Sequence, residues 1–196
     1  MTAPDPTAMT TALDRDRSLL VLVDHQGRLM PAIAGGEAVL DAAVFLARTA
    51  RRLGVPVLAT EQNPAGLGPV AEALRTLADR TLAKRHFDAC RDGLVDAVRA
   101  VDRPVSQVVV AGCEAHVCLL QTTLGLRAAG FDVAVVAEAC GSRRPSDRAL
   151  GLQRLQQAGC AIVSGEMVAF EWLRHCDDPA FRDVLRLVKD RPVEGG

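Results

Sequence analysis

The sequence predicts an α/β fold: a three-layer α/β/α sandwich built on a mostly parallel, six-stranded, doubly wound sheet. Three observations predict it. Short runs rich in Val, Leu and Ile recur at regular spacing along the 196 residues. Segments with helical periodicity separate them. The runs are apolar at consecutive rather than alternate positions, as strands covered by helices on both faces must be. Strands joined through helices become parallel neighbours linked by right-handed crossovers. A chain of this length builds one core more readily than two, so residues 18–190 are assigned to one domain.

In chain order, residues 1–17 (MTAPDPTAMTTALDRDR) carry neither a basic leader nor an apolar stretch and are expected to be a disordered tail on a cytoplasmic protein. The first strand is SLLVLV, residues 18–23. A helix over residues 37–53 follows from Val39, Ala43, Leu46, Ala50 and Leu53 at three- and four-residue steps, with Arg48, Arg51 and Arg52 elsewhere on its circumference. Gly54 and Pro56 should stop it. The next strands are VPVLAT (55–60), RTLAK (80–84), SQVVVAG (106–112) and FDVAVVA (131–137). A further helix is expected with Ser146 as its N-cap, Ala149, Leu152 and Leu155 on one face, and Arg148, Gln153, Arg154 and Gln157 on others, ending at Gly159. CAIVS (160–164) supplies the last strand, and residues 192–196 read as a frayed end.

Composition narrows the function. Lys and Arg number 23 against 24 Asp and Glu, and the pI near 6.4 lacks the basic surplus of a nucleic-acid binder. No run of apolar residues is long enough for a membrane span. Six cysteines are too sparse for a disulfide framework in a domain of this size, so most are expected to be reduced and buried. Only Lys84 and Lys189 are lysines, the other 21 cations being Arg. Where a chain uses Arg almost everywhere, a Lys marks a place that Arg does not suit.

Ligands of open parallel sheets bind beyond the carboxyl ends of the strands. Three of those ends are unusual here. The first strand runs into Asp24, the third ends at Lys84, and the fourth is followed by GCEAHVC, which puts Cys118 in the first turn of the next helix. Taken singly, Asp24 reads as a cap, Lys84 as a surface charge and Cys118 as a small buried hydrophobe. Taken together, a carboxylate, an ammonium and a thiol at a helix N-terminus form a nucleophilic site, because dipole and cation both favour the thiolate. Leu29, Gln62 and Phe87, just past strand ends, are candidates for the substrate pocket with ordinary packing as the equal reading, and His116, two residues before Cys118, is a candidate with a solvent-facing place at the helix start as its alternative. His86, Cys90, Cys113, His116 and Cys118 do not have zinc spacing, and Cys113 with Cys118 is C-x4-C rather than a redox pair.

The phrase GCEAHVCLLQTTLGLRAAGFDVAVVAEACGSR, with LLVLVDHQGRLMPAI near the start and LATEQNPAGLGP and KRHFDA between, resembles the isochorismatase-like cysteine hydrolase superfamily. Within it, the likeness is to the isochorismatase domain-containing branch, over roughly residues 19–189. The resemblance implies a catalytic triad of Asp24, Lys84 and Cys118. It also implies a non-proline cis peptide before Glu114, so that the amides of Glu114 and Cys118 form an oxyanion hole. Nicotinamidases of the superfamily carry an Asp and two His after the second strand, whereas ATEQNPAGLG has neither residue type. True isochorismatases lack the nucleophilic Cys.

The expectation is thus a metal-independent hydrolase, needing no cofactor, that cleaves a small carboxamide or related C–N bond through a thioester on Cys118. The alternative is a catalytically vestigial member that binds a small metabolite or a protein partner. Expected partners are the small-molecule substrate and further copies of the chain, a dimer or larger, with residues 166–189 (Phe170, Trp172, Phe181) as the contact. Neither nucleic acid nor membrane is expected.

Overall fold

The computed structural model describes residues 12–191. Six strands, β1 (Ser18–Val23), β2 (Val57–Gln62), β3 (Arg80–Lys84), β4 (Gln107–Cys113), β5 (Asp132–Gly141) and β6 (Ala161–Val163), form one sheet. Their order is β3-β2-β1-β4-β5-β6, and every pairing is parallel. Among the described residues the α-helices α1 (Gly36–Arg52), α2 (Pro64–Leu67), α3 (Glu72–Arg75), α4 (Leu94–Arg99), α5 (Cys118–Ala128) and α6 (Pro145–Gln157) lie between strands, and α7 (Gly165–Leu173) and α8 (Phe181–Lys189) follow β6. The doubly wound three-layer sandwich expected from the sequence is the fold observed.

Strand alternation divides the apolar residues between two cores. Leu20 and Leu22 of β1 with Val109 and Ala111 of β4 meet Ala43, Leu46, Ala47 and Ala50 of α1 and Val168, Trp172 and Val184 of α7 and α8. Leu19, Val21 and Val23 with Val108 and Val110 meet Leu94 and Val98 of α4, Leu119 and Leu126 of α5 and Leu155 of α6. β3 is an edge strand, and only Leu82 and Lys84 of its five residues are buried. Lys84 therefore points the same way as Leu82, toward the α4–α5 layer.

The chain departs from expectation in four places. The disordered tail does not extend to Arg17: Leu13 is buried, its amide donates to Glu171 at 2.6 Å, and the Asp14 amide donates to Gln107 at 2.7 Å. Residues 1–11 and 192–196 lie outside the described residues. Ser146 is not the N-cap of α6, because Pro145 occupies the first turn and Arg144 is the cap. Proline lacks the N–H that has no helical partner there, and its φ suits the position. Ala149 is exposed, and the inner face of α6 is Arg148, Gly151, Leu152 and Leu155. Trp172 is fully buried against its own sheet, so of the aromatic residues expected to face a partner Phe170 is the exposed one, beside Met167.

Where β1 meets β4, Gly112 lies opposite Val23, and a Cβ there would sit 2.4 Å from the Val23 carbonyl oxygen. Backbone cannot yield as a side-chain tip can. Gly112→Ala is expected to lower unfolding stability by about 1–3 kcal/mol, the usual range for an overpacked core. A urea titration with an unchanged m-value would read the loss, and a wild-type midpoint would contradict it.

Candidate active site

The sheet order reverses direction between β1 and β4, which opens a crevice at the carboxyl edge beside these two central strands. Asp24 continues β1 with a left-handed φ of 54°, a conformation that costs a non-glycine residue energy and turns its carboxylate out of the strand's alternation. Register places Thr60 beside Val23, and Gln62 beside Lys84. The carboxylate lies 2.7 Å from Lys84 Nζ, and both side chains are wholly inaccessible to solvent. Thr60 Oγ1 donates to the other carboxylate oxygen at 2.6 Å. Lys84 Nζ also donates to Gln62 Oε1 at 2.6 Å and to the carbonyls of His86 and Phe87 at 3.3 and 3.4 Å. Each charge is thus paired and hydrogen-bonded, the condition under which burial of an ion pair is tolerated.

Cys118 is the first residue of α5 and is buried, with Sγ 4.0 Å from Gln62 Oε1. Burial pushes its thiol up to about 12. The Asp24 charge pushes the same way, and Lys84 opposes both. The Asp24 carboxylate thus counters the help that the Lys84 ammonium gives the thiolate, and burial adds to the cost of ionising it.

The turn that carries the thiol is fixed at several points. The Cys113–Glu114 peptide is cis. The Ala115 amide donates to the Gly141 carbonyl at 2.7 Å and to Ser142 Oγ at 3.1 Å. The amides of Val117 and Leu119 both donate to the Glu114 carbonyl. Among the described residues the amides of Glu114 and Cys118 have no protein acceptor, which leaves two donors at the start of α5. The Glu114 side chain accepts from the Arg143 amide and guanidinium at 2.9 and 3.0 Å. Burial would raise its carboxyl, but Arg143 outweighs burial and holds it below the usual range.

Of the pocket candidates, Gln62 joins the ion pair and the thiol, its amide nitrogen anchored on the Arg85 carbonyl at 2.8 Å. Phe87 contributes its carbonyl to Lys84 while its ring is half exposed. Leu29 packs on Met30, Ile33, Val39 and Cys113. His116 turns to Ser142 Oγ at 3.0 Å, with Asp147 at 3.9 Å on its other nitrogen. Thr60, Thr122 and Ser142 were not among the candidates. Thr122 Oγ1 accepts from the Ala89 amide and donates to the Phe87 carbonyl, tying α5 to the loop beneath Lys84. Thr60 left one signal in the sequence, a polar residue closing an apolar strand run. Among the described residues no three His, Cys, Asp or Glu side chains converge as a metal would need, and no helix is long and apolar enough to cross a membrane. All six cysteines are free, with four of them buried.

Comparison with known proteins shows the family and the fold. The Isochorismatase domain family matches residues 18–167. Human isochorismatase domain-containing protein 2 is 35% identical over 182 residues, which are 91% of this chain and 86% of that protein. Among solved structures, the MAR1 ribonuclease of Caenorhabditis elegans is 29% identical with a TM-score of 0.87, covering 94% of this chain and 96% of that one. Two YcaC proteins share the fold. That of Pseudomonas aeruginosa, solved with hexane-2,5-diol and covalent acrylamide, is 26% identical over 91% of this chain and 92% of that one, with a TM-score of 0.84. That of Escherichia coli, an octameric hydrolase of unknown specificity, is 24% identical over 96% of this chain and 98% of that one, with a TM-score of 0.81.

Next to Asp24, His25 is buried and donates from Nε2 to the Ala139 carbonyl at 3.2 Å. Burial lowers its pKa to about 4, against the weaker opposing pull of that carbonyl and of Asp24. Between about pH 6.5 and 4 the unfolded chain binds a proton at His25 that the folded protein refuses. Stability is therefore intact above about pH 6.5 and falls as pH drops through this window, by about 3 kcal/mol in all. Chemical denaturation of wild type and His25→Gln across this range should show the slope reduced in the variant; equal slopes would contradict the assignment.

Proposed function

The chain belongs to the Isochorismatase domain family, and from that premise we propose that it is a metal-independent cysteine hydrolase that cleaves a small carboxamide or related C–N bond through a thioester on Cys118. The hydrolase class comes with the family. The triad and the amide specificity are our reading, and one observation carries them: a buried carboxylate–ammonium pair sits beside a thiol that opens a helix at the sheet's carboxyl edge.

The chemistry follows from where charge can go. Asp24 takes the proton of the Cys118 thiol as sulfur attacks the carbonyl carbon. One negative charge thereby moves from oxygen to sulfur while Lys84 stays beside it, so proton transfer creates no new charge in a site that could not solvate one. The amides of Glu114 and Cys118 receive the developing oxyanion. Asp24 then delivers the proton to the leaving nitrogen as the C–N bond breaks, leaving the acyl group on sulfur. Water attacks the thioester and gives a proton to Asp24; the C–S bond breaks, the acid departs, and Asp24 returns the proton to sulfur. The raised thiol makes this proton transfer costly, and the adjacent carboxylate, the Lys84 ammonium and the short path are what offset the cost.

A solved relative with covalent acrylamide supports an electrophile-accepting site in this fold. The ribonuclease activity named for the C. elegans protein is not adopted, since this chain has a net charge of −1 and its site offers a thiol suited to carbonyl carbon. Metal-independence rests on the residues, as the stretch ATEQNPAGLG offers no Asp or His and, among the described residues, no donor cluster replaces them. Self-association is part of the proposal, in keeping with the octamer formed by the E. coli relative.

A screen of small carboxamides should find turnover that survives exhaustive chelation, vanishes in Cys118→Ala and falls on the order of a hundredfold in Lys84→Arg, whose planar guanidinium would displace Asp24 and Cys118 by about an ångström. Thermal melts should show both variants folded. Undiminished turnover in either variant removes the triad, and binding without any turnover supports the vestigial alternative. In the intact protein, iodoacetamide labelling of Cys118 should vary little between about pH 6.5 and 8.5 because its proton acceptor is built in. A small free thiol such as N-acetylcysteine in the same mixture, which has no such acceptor, should speed up several-fold per unit.

A further inference from the structure

The register between β4 and β5 breaks where the site begins. Val110 pairs with Val135, yet Gly112, two residues on, pairs with Cys140, five residues on. β5 therefore carries three extra residues, a bulge whose carbonyls leave the ladder between these strands. Buried carbonyls need donors from somewhere. Here they come from side chains. Arg148 Nη2 donates to the Ala137 carbonyl at 2.6 Å and its Nε to the Cys140 carbonyl at 2.7 Å. His25 Nε2 reaches the Ala139 carbonyl at 3.2 Å, and Cys140 Sγ reaches the Val136 carbonyl at 3.0 Å.

The two residues that leave the bulge are those that hold the nucleophile's turn. Gly141 and Ser142 both accept from the Ala115 amide. Gly141 can do so only without a side chain, since a Cβ would lie 2.4 Å from Ile33 Cγ2. From the far side, Gly151 of α6 rests on the same turn, where a Cβ would lie 2.8 Å from the Ala115 carbonyl oxygen. Arg148 stands one turn before Gly151 on that inner face. A single helix thus braces the bulge with one residue and the catalytic turn with the next.

We propose that His25 and Arg148 are positioning residues for Cys118, which set where its sulfur stands relative to Asp24 and Lys84 by fixing the β5 bulge that carries Gly141 and Ser142. Neither touches the sulfur. His25 also follows Asp24 in the chain, so one residue links the position of the proton acceptor to that of the turn bearing the donor. The inference rests on the proposed role of Cys118, and its test separates the two.

The measurement is site-resolved iodoacetamide labelling of folded wild type, His25→Leu, His25→Gln, Arg148→Met and Arg148→Lys between about pH 6.5 and 8.5, with N-acetylcysteine in the same mixture as reference. In His25→Leu and Arg148→Met the Cys118 rate should lose its flat profile and rise about tenfold per unit, as for a thiol parted from its acceptor. His25→Gln, which keeps an N–H donor, should recover much of the flat profile. Should Arg148→Met not fold, Arg148→Lys can reach only one of the two carbonyls and should show an intermediate slope. A wild-type-like profile in the folded variants, whatever the absolute rate, overturns the positioning role and leaves the hydrolase reading standing. A wild-type profile that already rises about tenfold per unit removes the proposed proton acceptor, and this inference with it.

Discussion

The Asp24–Lys84 ion pair is the constraint around which the site is arranged. Two charges without solvent contact are tolerable only if every remaining donor and acceptor on them is met. Thr60, Gln62 and the carbonyls of His86 and Phe87 meet them. That set draws on β2 and on the loop after β3, so the requirement to satisfy one pair fixes the upper edge of half the sheet. Removing one partner would leave a lone buried charge, a loss of roughly 3–5 kcal/mol. This also explains why an ammonium rather than a guanidinium stands at residue 84. A compact cation can face a carboxylate, an amide oxygen and a sulfur at once, whereas a planar fork cannot.

The nucleophile depends on that pair and on a second, quite separate support. Cys118 is helped toward ionisation by Lys84, but burial and the neighbouring carboxylate both oppose it. Its use lies in where it stands. The turn before α5 is held by backbone of β5 and by α6: Gly151 lets α6 meet the turn backbone to backbone, and Gly141 leaves room for the side chains of Ile33, Val39 and Cys113. Carboxylate and thiol thus reach the crevice from different strands, brought together by the reversal of strand order rather than by proximity in sequence.

Much of this was legible in the sequence. The strands announce themselves because burial on both faces leaves unbroken apolar runs, and Asp24 and Lys84 stand out because they end such runs with a charge. Gly54, with a φ of 69°, stops α1 as expected. What was not legible shares a cause: polar groups whose partners are backbone atoms distant in sequence. Arg148 looks like a solvent-facing residue on a helical wheel, and only the bulge in β5 makes the inner face the better place for it. Leu13 lies in a polar stretch, and its burial depends on α7 being near enough for Glu171 to accept its amide.

The contrast between the buried pair and the surface pairs has a consequence for the medium in which the protein works. Arg51–Asp79, Arg52–Asp183 and Arg174–Asp14 are all substantially exposed, and dissolved salt weakens interactions of that kind over distances of about 10 Å at 0.1 M. No mobile ion can come between Asp24 and Lys84, whose side chains have no contact with solvent. Raising ionic strength would loosen the outer stitching of the molecule long before it altered the charge balance at the sulfur. The site would keep its chemistry in brine while the shell around it softened.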